Sequence, residues 1–318
     1  MIKLALSDAA HYSQNVDAET AEQELYLRIS SYASEADLYR ITLGLGYSSN
    51  FRGRASFGQL VGGAAYPVNL ADCWELSLLE AKIIEQSSLH DAKVSGKPSA
   101  LFGEVSVRLL PGKIHALAFD IFKLYLVGQE NHIKEMACFF ELFDLRGDAA
   151  SISMLKGEKI QPYDISVCVN LLIAREKSDS ASVDKLLGSI PLFKGITEFW
   201  EDDIEFARWT ERAAQWHLEY CPKNFSKFED FANVAPDVLV PSWILALDKF
   251  RQKHLRRPCC LGEHELLALS QEVIAAAKAQ NYPKLPSLVA AEKFYKDQFG
   301  DEVFNPVPFW EEFMAIDT

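Results

Sequence analysis

No GxxxxGK[ST], HExxH, GxSxG or CxxC stretch occurs anywhere in the 318 residues. The first would cradle phosphates and the second would hold zinc on one helical face. The third would present a nucleophilic serine, and the fourth would run thiol exchange or bind zinc. Positive charge is also short, with 32 Lys and Arg against 45 Asp and Glu, a formal charge of −13. Such a surface repels nucleic acid and anionic membrane, and favours a basic protein as partner. Long apolar runs are missing too. The longest, IHALAFDIFKLYLVG from Ile114 to Gly128, is broken by Asp120 and Lys123, so it predicts a buried helix rather than a membrane span. MIKLALSDAAHYS is too short in its apolar part before Asp8 to be a secretory signal. The six cysteines, Cys73, Cys138, Cys168, Cys221, Cys259 and Cys260, have no framework spacing. That pattern suits free thiols in a reducing cytoplasm.

What is present is helical periodicity. Asp17 is placed to cap a helix through AETAEQELYLRISSYASEADLYRITL, with Ser30, Ser31 and Ser34 as interruptions. Asn69 precedes a run in which Leu70, Trp74, Leu78, Ala81 and Ile84 recur at helical spacing. Further helices are predicted over 113–127, 131–143, 163–175, 199–220, 241–254, 262–280 and 286–299. SISML and KIQPY around Lys156-Gly157 suggest a minor β-hairpin. No period of 30 to 45 residues recurs, which argues against a solenoid. The fold class expected is therefore mainly α, a bundle-like array of many helices.

Two stretches interrupt the pattern. Gly44 to Pro67 holds six glycines and predicts a long functional loop, in which Arg52 and Arg54 would meet an anion over a nest of backbone N–H groups. GLGYSS supplies only the first two positions of a dinucleotide fingerprint. EKSDSASVDK, Glu176 to Lys185, is polar and linker-like. A boundary there or earlier divides the chain into helical regions 1–155 and 156–318, with one continuous domain as the alternative.

The segment EFWEDDIEFARWTERAAQWHLEYC, Glu198 to Cys221, carries three of the six tryptophans. At 100° per residue, Phe206, Trp209, Ala213, Trp216 and Tyr220 share one stripe. Glu201, Glu205, Arg208 and Arg212 pair at i,i+3 and i,i+4 spacing on another face. Acids in the first turn complement the helix dipole. Local helix physics thus explains most of the stretch. Residues 198–237 nonetheless hold ten acids against four bases, a local charge of −6. Glu201, Asp202, Asp203 and Glu205 are accordingly the candidate contacts for a basic partner, with Arg52 and Arg54 a secondary pair.

The other chemistry-bearing residues have structural readings. His132 and Glu135 stand at i,i+3, the unit of carboxylate metal sites, but no second Glu-x-x-His pair accompanies them. His217 borders the aromatic stripe as a hydrogen-bonded packing residue. Cys259 and Cys260 read as caps or core thiols. The basic run RQKHLRRP from Arg251 ends a helix whose exposed carbonyls favour positive charge. No metal, cofactor or catalytic residue is expected, and the oligomeric state is left open.

In its acid-rich FWEDDIEFARW, its helix-rich design and its lack of catalytic motifs, the chain resembles the mainly helical immunity proteins of bacterial toxin systems. The resemblance implies an acidic cytoplasmic protein that binds a toxin enzyme, such as a nuclease, and occludes it. A helical enzyme with dispersed active-site residues, including His132 and Glu135, and a helical scaffold are the alternatives.

Overall fold

The structure is a computed structural model. It describes residues 1–15, 18–31, 35–62, 67–95, 118–132, 187–188, 190–221 and 235–300, with single positions at 165, 168, 169 and 172. Among these residues the fold is mainly helical and contains no strand. No helix among them is long and apolar enough to cross a membrane. The elements are α1 (Ile2–Asn15), α2 (Ala18–Ser30), α3 (Glu35–Leu60) and α4 (Leu70–Ser95). A helical run over 118–126 and a 3-10 turn, Glu130–His132, follow. The C-terminal part contributes α5 (Asp203–Tyr220), α6 (Ala235–Leu239), α7 (Ser242–Leu255), α8 (Glu265–Ala279) and α9 (Pro286–Phe299). The hairpin expected near Lys156 and the boundary expected near residue 155 lie outside the described residues.

Two apolar clusters organise the chain. The first is aromatic, and α5 and α7 dominate it. Trp209 and Trp243 meet edge to face at 6.1 Å, and Trp216 meets Trp243 the same way at 6.2 Å. Phe193 packs on both Trp209 and Trp243. Such tilted contacts set the positive ring edge against the negative face. The stripe expected on α5 is real at Phe206, Trp209 and Ala213, all buried, while Trp216 is half-buried. Leu187, Ile190, Phe193 and Ile196 are buried at every third position, joined by successive i+3→i backbone bonds, and lead the chain into α5.

The second cluster joins α2, α3 and α4 to α9 through Leu25, Ile41, Leu45, Leu76, Leu79, Leu288 and Phe294. Both clusters therefore draw on residues from either side of 155. The segment between α8 and α9 is clamped onto the α3–α4 corner. Asn69 accepts the Tyr282 N–H at 3.1 Å and donates to the Tyr282 carbonyl at 3.0 Å. Gln280 accepts the N–H of Leu70 at 2.8 Å, so a residue 210 positions away satisfies the start of α4. Glu22 of α2 accepts from the Ser287 backbone at 2.5 Å and its hydroxyl at 2.7 Å, and pairs with Arg52.

The loop expected over Gly44 to Pro67 is a correction. Helix α3 runs through to Leu60, and among the described residues of that stretch Val61 and Gly62 form a turn, with 63–66 outside them. Glycine costs about 1 kcal/mol against alanine inside a helix, which is the local signal for a loop. Here the helix forms despite that cost, with neighbouring side chains seated directly against two of the glycines. A Cβ on Gly44 would stand 2.9 Å from Leu25 Cδ1, and one on Gly46 would stand 2.6 Å from the Glu80 carboxylate. A larger residue at either position would push aside the tip of Leu25 from α2 or of Glu80 from α4.

Glycine substitutions should consequently change sign with position. A Cβ at Gly53 meets only Cys73 Cβ at 3.6 Å, an ordinary contact. Gly53→Ala should stabilise by roughly 0.5–1 kcal/mol through helix propensity. At Gly262, in the turn between α7 and α8, it would stand 2.5 Å from the Ala207 carbonyl oxygen. Gly262→Ala should cost about 1–3 kcal/mol. Urea unfolding of both variants measures the two signs, and equal effects would remove the close-packing account.

Candidate functional site

The four acids singled out in the sequence lie together at the start of α5, but the structure assigns them different work. Asp202 is the N-cap, its Oδ1 accepting from Ile204 N at 2.9 Å and Glu205 N at 3.1 Å. Asp203 stays exposed but is paired with two arginines. Its Oδ1 takes Arg251 Nη2 at 2.5 Å and Arg257 Nη1 at 3.2 Å. The Arg251 hydrogen bond holds the Asp203 carboxyl below the usual aspartate range. Glu205 pairs with Arg208 one turn on, and both remain largely exposed. Glu201 is exposed, and its backbone carbonyl accepts from Arg257. Among them stands Ile204, 66% exposed, an isoleucine with no apolar cover at the tip of the helix.

The tip rests on a platform built by α7 and the turn after it. Arg251 is fully buried. Its Nε donates to the Trp200 carbonyl at 2.6 Å, and its guanidinium lies 4.5 Å from the centre of the Phe206 ring. Farther along α5, Thr210 Oγ1 accepts from Gly262 N at 2.8 Å and Glu211 accepts from Glu263 N at 2.8 Å. The basic run ends α7 as its charge suggested, with Arg256 as a left-handed C-cap at φ 53°. Arg251 itself, however, is drawn into the interior.

Arg52 and Arg54 lie elsewhere, on α3, where backbone N–H groups are spent on the helix and form no nest. Arg52 is buried and bound to Glu22, and Arg54 is half-buried. The structure does not bring this pair to the acidic tip.

Two buried polar groups surround α6. Lys123 reaches Asp237 at 2.7 Å and Asp120 at 3.3 Å, and Ser77 donates to Asp120 at 2.7 Å. Burial works against the Lys123 ammonium, but the two carboxylates outweigh it and hold its pKa above the lysine range. One ammonium serves two carboxylates, so burial leaves Asp120, the less exposed of the two, raised. His217 is the second group, 1% exposed. Its Nε2 faces the carbonyls of Asp237 at 3.1 Å and Val238 at 3.2 Å, while Nδ1 accepts from Trp243 Nε1 at 3.3 Å. These partners fix the neutral tautomer with the proton on Nε2. The packing role expected of His217 is what the geometry shows.

His132 is buried at the edge of a mixed cluster, and Glu135 lies outside the described residues. Lys284 Nζ sits 2.5 Å from Glu292 and 4.0 Å from Glu75. Burial pushes the Glu75 carboxyl up, Lys284 opposes it, Glu292 adds to it, and His132 is near enough to lower it slightly. No group of three or more His, Cys, Asp or Glu among the described residues is arranged to hold a metal ion. Ile204, Arg251 and Glu75 carry no motif. Arg251 showed in the sequence as the head of the basic run, and Ile204 only as an apolar letter inside an acidic first turn.

Burial holds His217 down at about 4 from an ordinary 6.5. The unfolded chain therefore binds its proton first as pH falls. Stability is fully present above about pH 6.5 and declines toward pH 4, by on the order of 3 kcal/mol for this group. Urea unfolding at pH 7, 5.5 and 4.5 should show this decline in the parent and a shallower one in His217→Gln. Parallel slopes would mean that His217 is not the titrating group.

No protein-family model, curated protein or solved structure matches this chain. Its functional reading rests on the chemistry of the α5 tip and the clusters around it.

Proposed function

We propose that this chain is a binding protein that occludes a basic partner, in the manner of an immunity protein blocking a cationic toxin enzyme such as a nuclease. One observation carries the reading. Ile204 is exposed in the first turn of α5 with Glu201, Asp202 and Glu205 around it. An apolar residue ringed by charge is the pattern of an interface anchor, where the side chain excludes water and the rim charges orient the partner. The net charge of −13 extends the attraction beyond contact range. Asp203 takes no part in recognition, because Arg251 and Arg257 hold its charge. Asp202 is shared between the two tasks, since it also caps the helix.

A second reading, a helical enzyme, is favoured by the Glu75, Glu292, Lys284 and His132 cluster alone. A carboxyl with raised affinity for protons beside an ammonium, as at Glu75, is the raw material of general acid–base chemistry. Turnover abolished by Glu75→Gln in a folded protein would put this reading first.

The binding reading is tested with paired baits, parent and Ile204→Asp, carried through affinity capture and then kinetics on the purified partner. The parent should retain a basic enzyme whose activity falls on stoichiometric addition. Ile204→Asp should speed dissociation at least tenfold. Glu201→Gln with Glu205→Gln should slow association, and salt should imitate it as the Debye length shrinks from about 10 Å at 0.1 M to about 3 Å at 1 M. Surface changes of this kind should leave unfolding within about 0.5 kcal/mol. A partner held equally by both baits, with association indifferent to salt, would place the binding surface elsewhere.

A further inference from the structure

Cys259 and Cys260 cap no helix; Cys259 is exposed, and Cys260 packs against the edge of the first apolar cluster. They lie in the irregular turn between α7 and α8, Cys259 exposed and Cys260 half-buried, both as free thiols. Each thiol faces a carboxylate of the platform. Cys259 meets Asp248, and its sulfur also accepts from Gln271 Nε2 at 3.3 Å. Cys260 meets Asp203 and the Arg251 guanidinium, with the Pro258 carbonyl 3.4 Å from its sulfur. Asp248 in turn accepts the Cys260 N–H at 3.2 Å and Gln252 Nε2 at 2.5 Å. Asp248 thus fixes the turn, and Asp203, beside the Cys260 thiol, belongs to the α5 tip and ties it to Arg257.

We propose that Cys259 and Cys260 form a reversible oxidation site for small-molecule disulfides, and that closing it loosens the α5 tip. This rests on the reading of that tip as the binding surface. The Cys259 thiolate attacks one sulfur of a disulfide such as oxidised glutathione, and the other sulfur leaves as a thiolate. Cys260 then attacks the Cys259 sulfur and expels the second thiolate. Two thiols are oxidised by two electrons, the disulfide is reduced to two thiols, and the two protons pass to the departing sulfurs. Closure takes the Cys259 S–H from Asp248 and the Cys260 S–H from the Pro258 carbonyl, and it bends a turn that is tied to α5 by Arg257 on Asp203, Gly262 N on Thr210 and Glu263 N on Glu211. It also demands backbone movement. Consecutive Cα atoms are about 3.8 Å apart, against about 4.4–6.8 Å in ordinary disulfides. That geometry makes the bond strained and easily reduced, the property of reversible rather than structural disulfides.

Burial pushes the Cys259 thiol up to about 11, with Asp248 adding to it. Attack is therefore slow near neutrality and accelerates about tenfold per pH unit, because the thiolate is the nucleophile. The groups facing the pair are Asp248, Gln271, Asp203 and Arg251, none of which supplies a base.

The test treats the full-length chain with oxidised glutathione at pH 7, 8 and 9 and follows intact mass, peptide mapping and amide hydrogen exchange. The expected product has lost two hydrogen atoms within the Arg257–Glu263 peptide. Its formation rate should rise about tenfold per pH unit. In it, exchange at Ile204 and Glu205 should quicken about tenfold and recover on reduction. Cys260→Ser should stop at a glutathione adduct on Cys259 without the change in exchange. No internal disulfide by pH 9, or a disulfide that leaves exchange at Ile204 and Glu205 unchanged, overturns the proposal. Exchange is read with no partner present, so the result stands apart from whether the tip binds a basic protein.

Discussion

A guanidinium removed from water must find its partners inside the protein, and much of the α5 end of this molecule is arranged around that need at Arg251. Removing one member of a buried pair leaves a charge uncompensated, at a cost of roughly 3–5 kcal/mol. The Trp200 carbonyl, Asp203, the Phe206 ring and the Cys260 thiol all stand around Arg251. These groups come from the chain entering α5, from its first turns, and from the turn beyond α7. One residue thereby sets where α5 begins, how its tip projects, and which of its acids has its charge paired.

The rest of the fold obeys the same logic at longer range. Glu22 collects Arg52 and Ser287, and Asn69 pairs with the backbone of Tyr282 as a neighbouring strand would. Polar side chains buried between helices are satisfied by segments far away in sequence, so these contacts specify which helices meet as well as holding them.

Much of this could be read beforehand where the cause is local. The tryptophan stripe of α5, the break after Ser30, the α7 terminus and the limits of α9 follow from periodicity, capping and proline placement. The glycines of α3 misled because their cost is local and the contacts made against them are not. Nothing near Gly44 announces that Leu25 will lie against it. The acidic tip was visible as composition, but formal charge counts Asp203 equally with Glu201. The residue that neutralises it lies 48 positions later. Cys259 and Cys260 carried a spacing and no address. Only the fold sets them beside the carboxylates.

The docking of α9 has a consequence for how the molecule comes into being. Helices α2, α3 and α4 share an apolar cluster whose remaining wall, among the described residues, is α9. During synthesis, α4 is complete at residue 95 while α9 begins at residue 286. At about 5–20 residues per second, that leaves an interval of about 10–40 s in which the cluster lacks its last wall. Leu76, Leu79 and Ile41 would spend that time facing solvent, so a ribosome-bound chain of this protein is a natural client for chaperones that hold apolar surface until the C-terminal helix arrives.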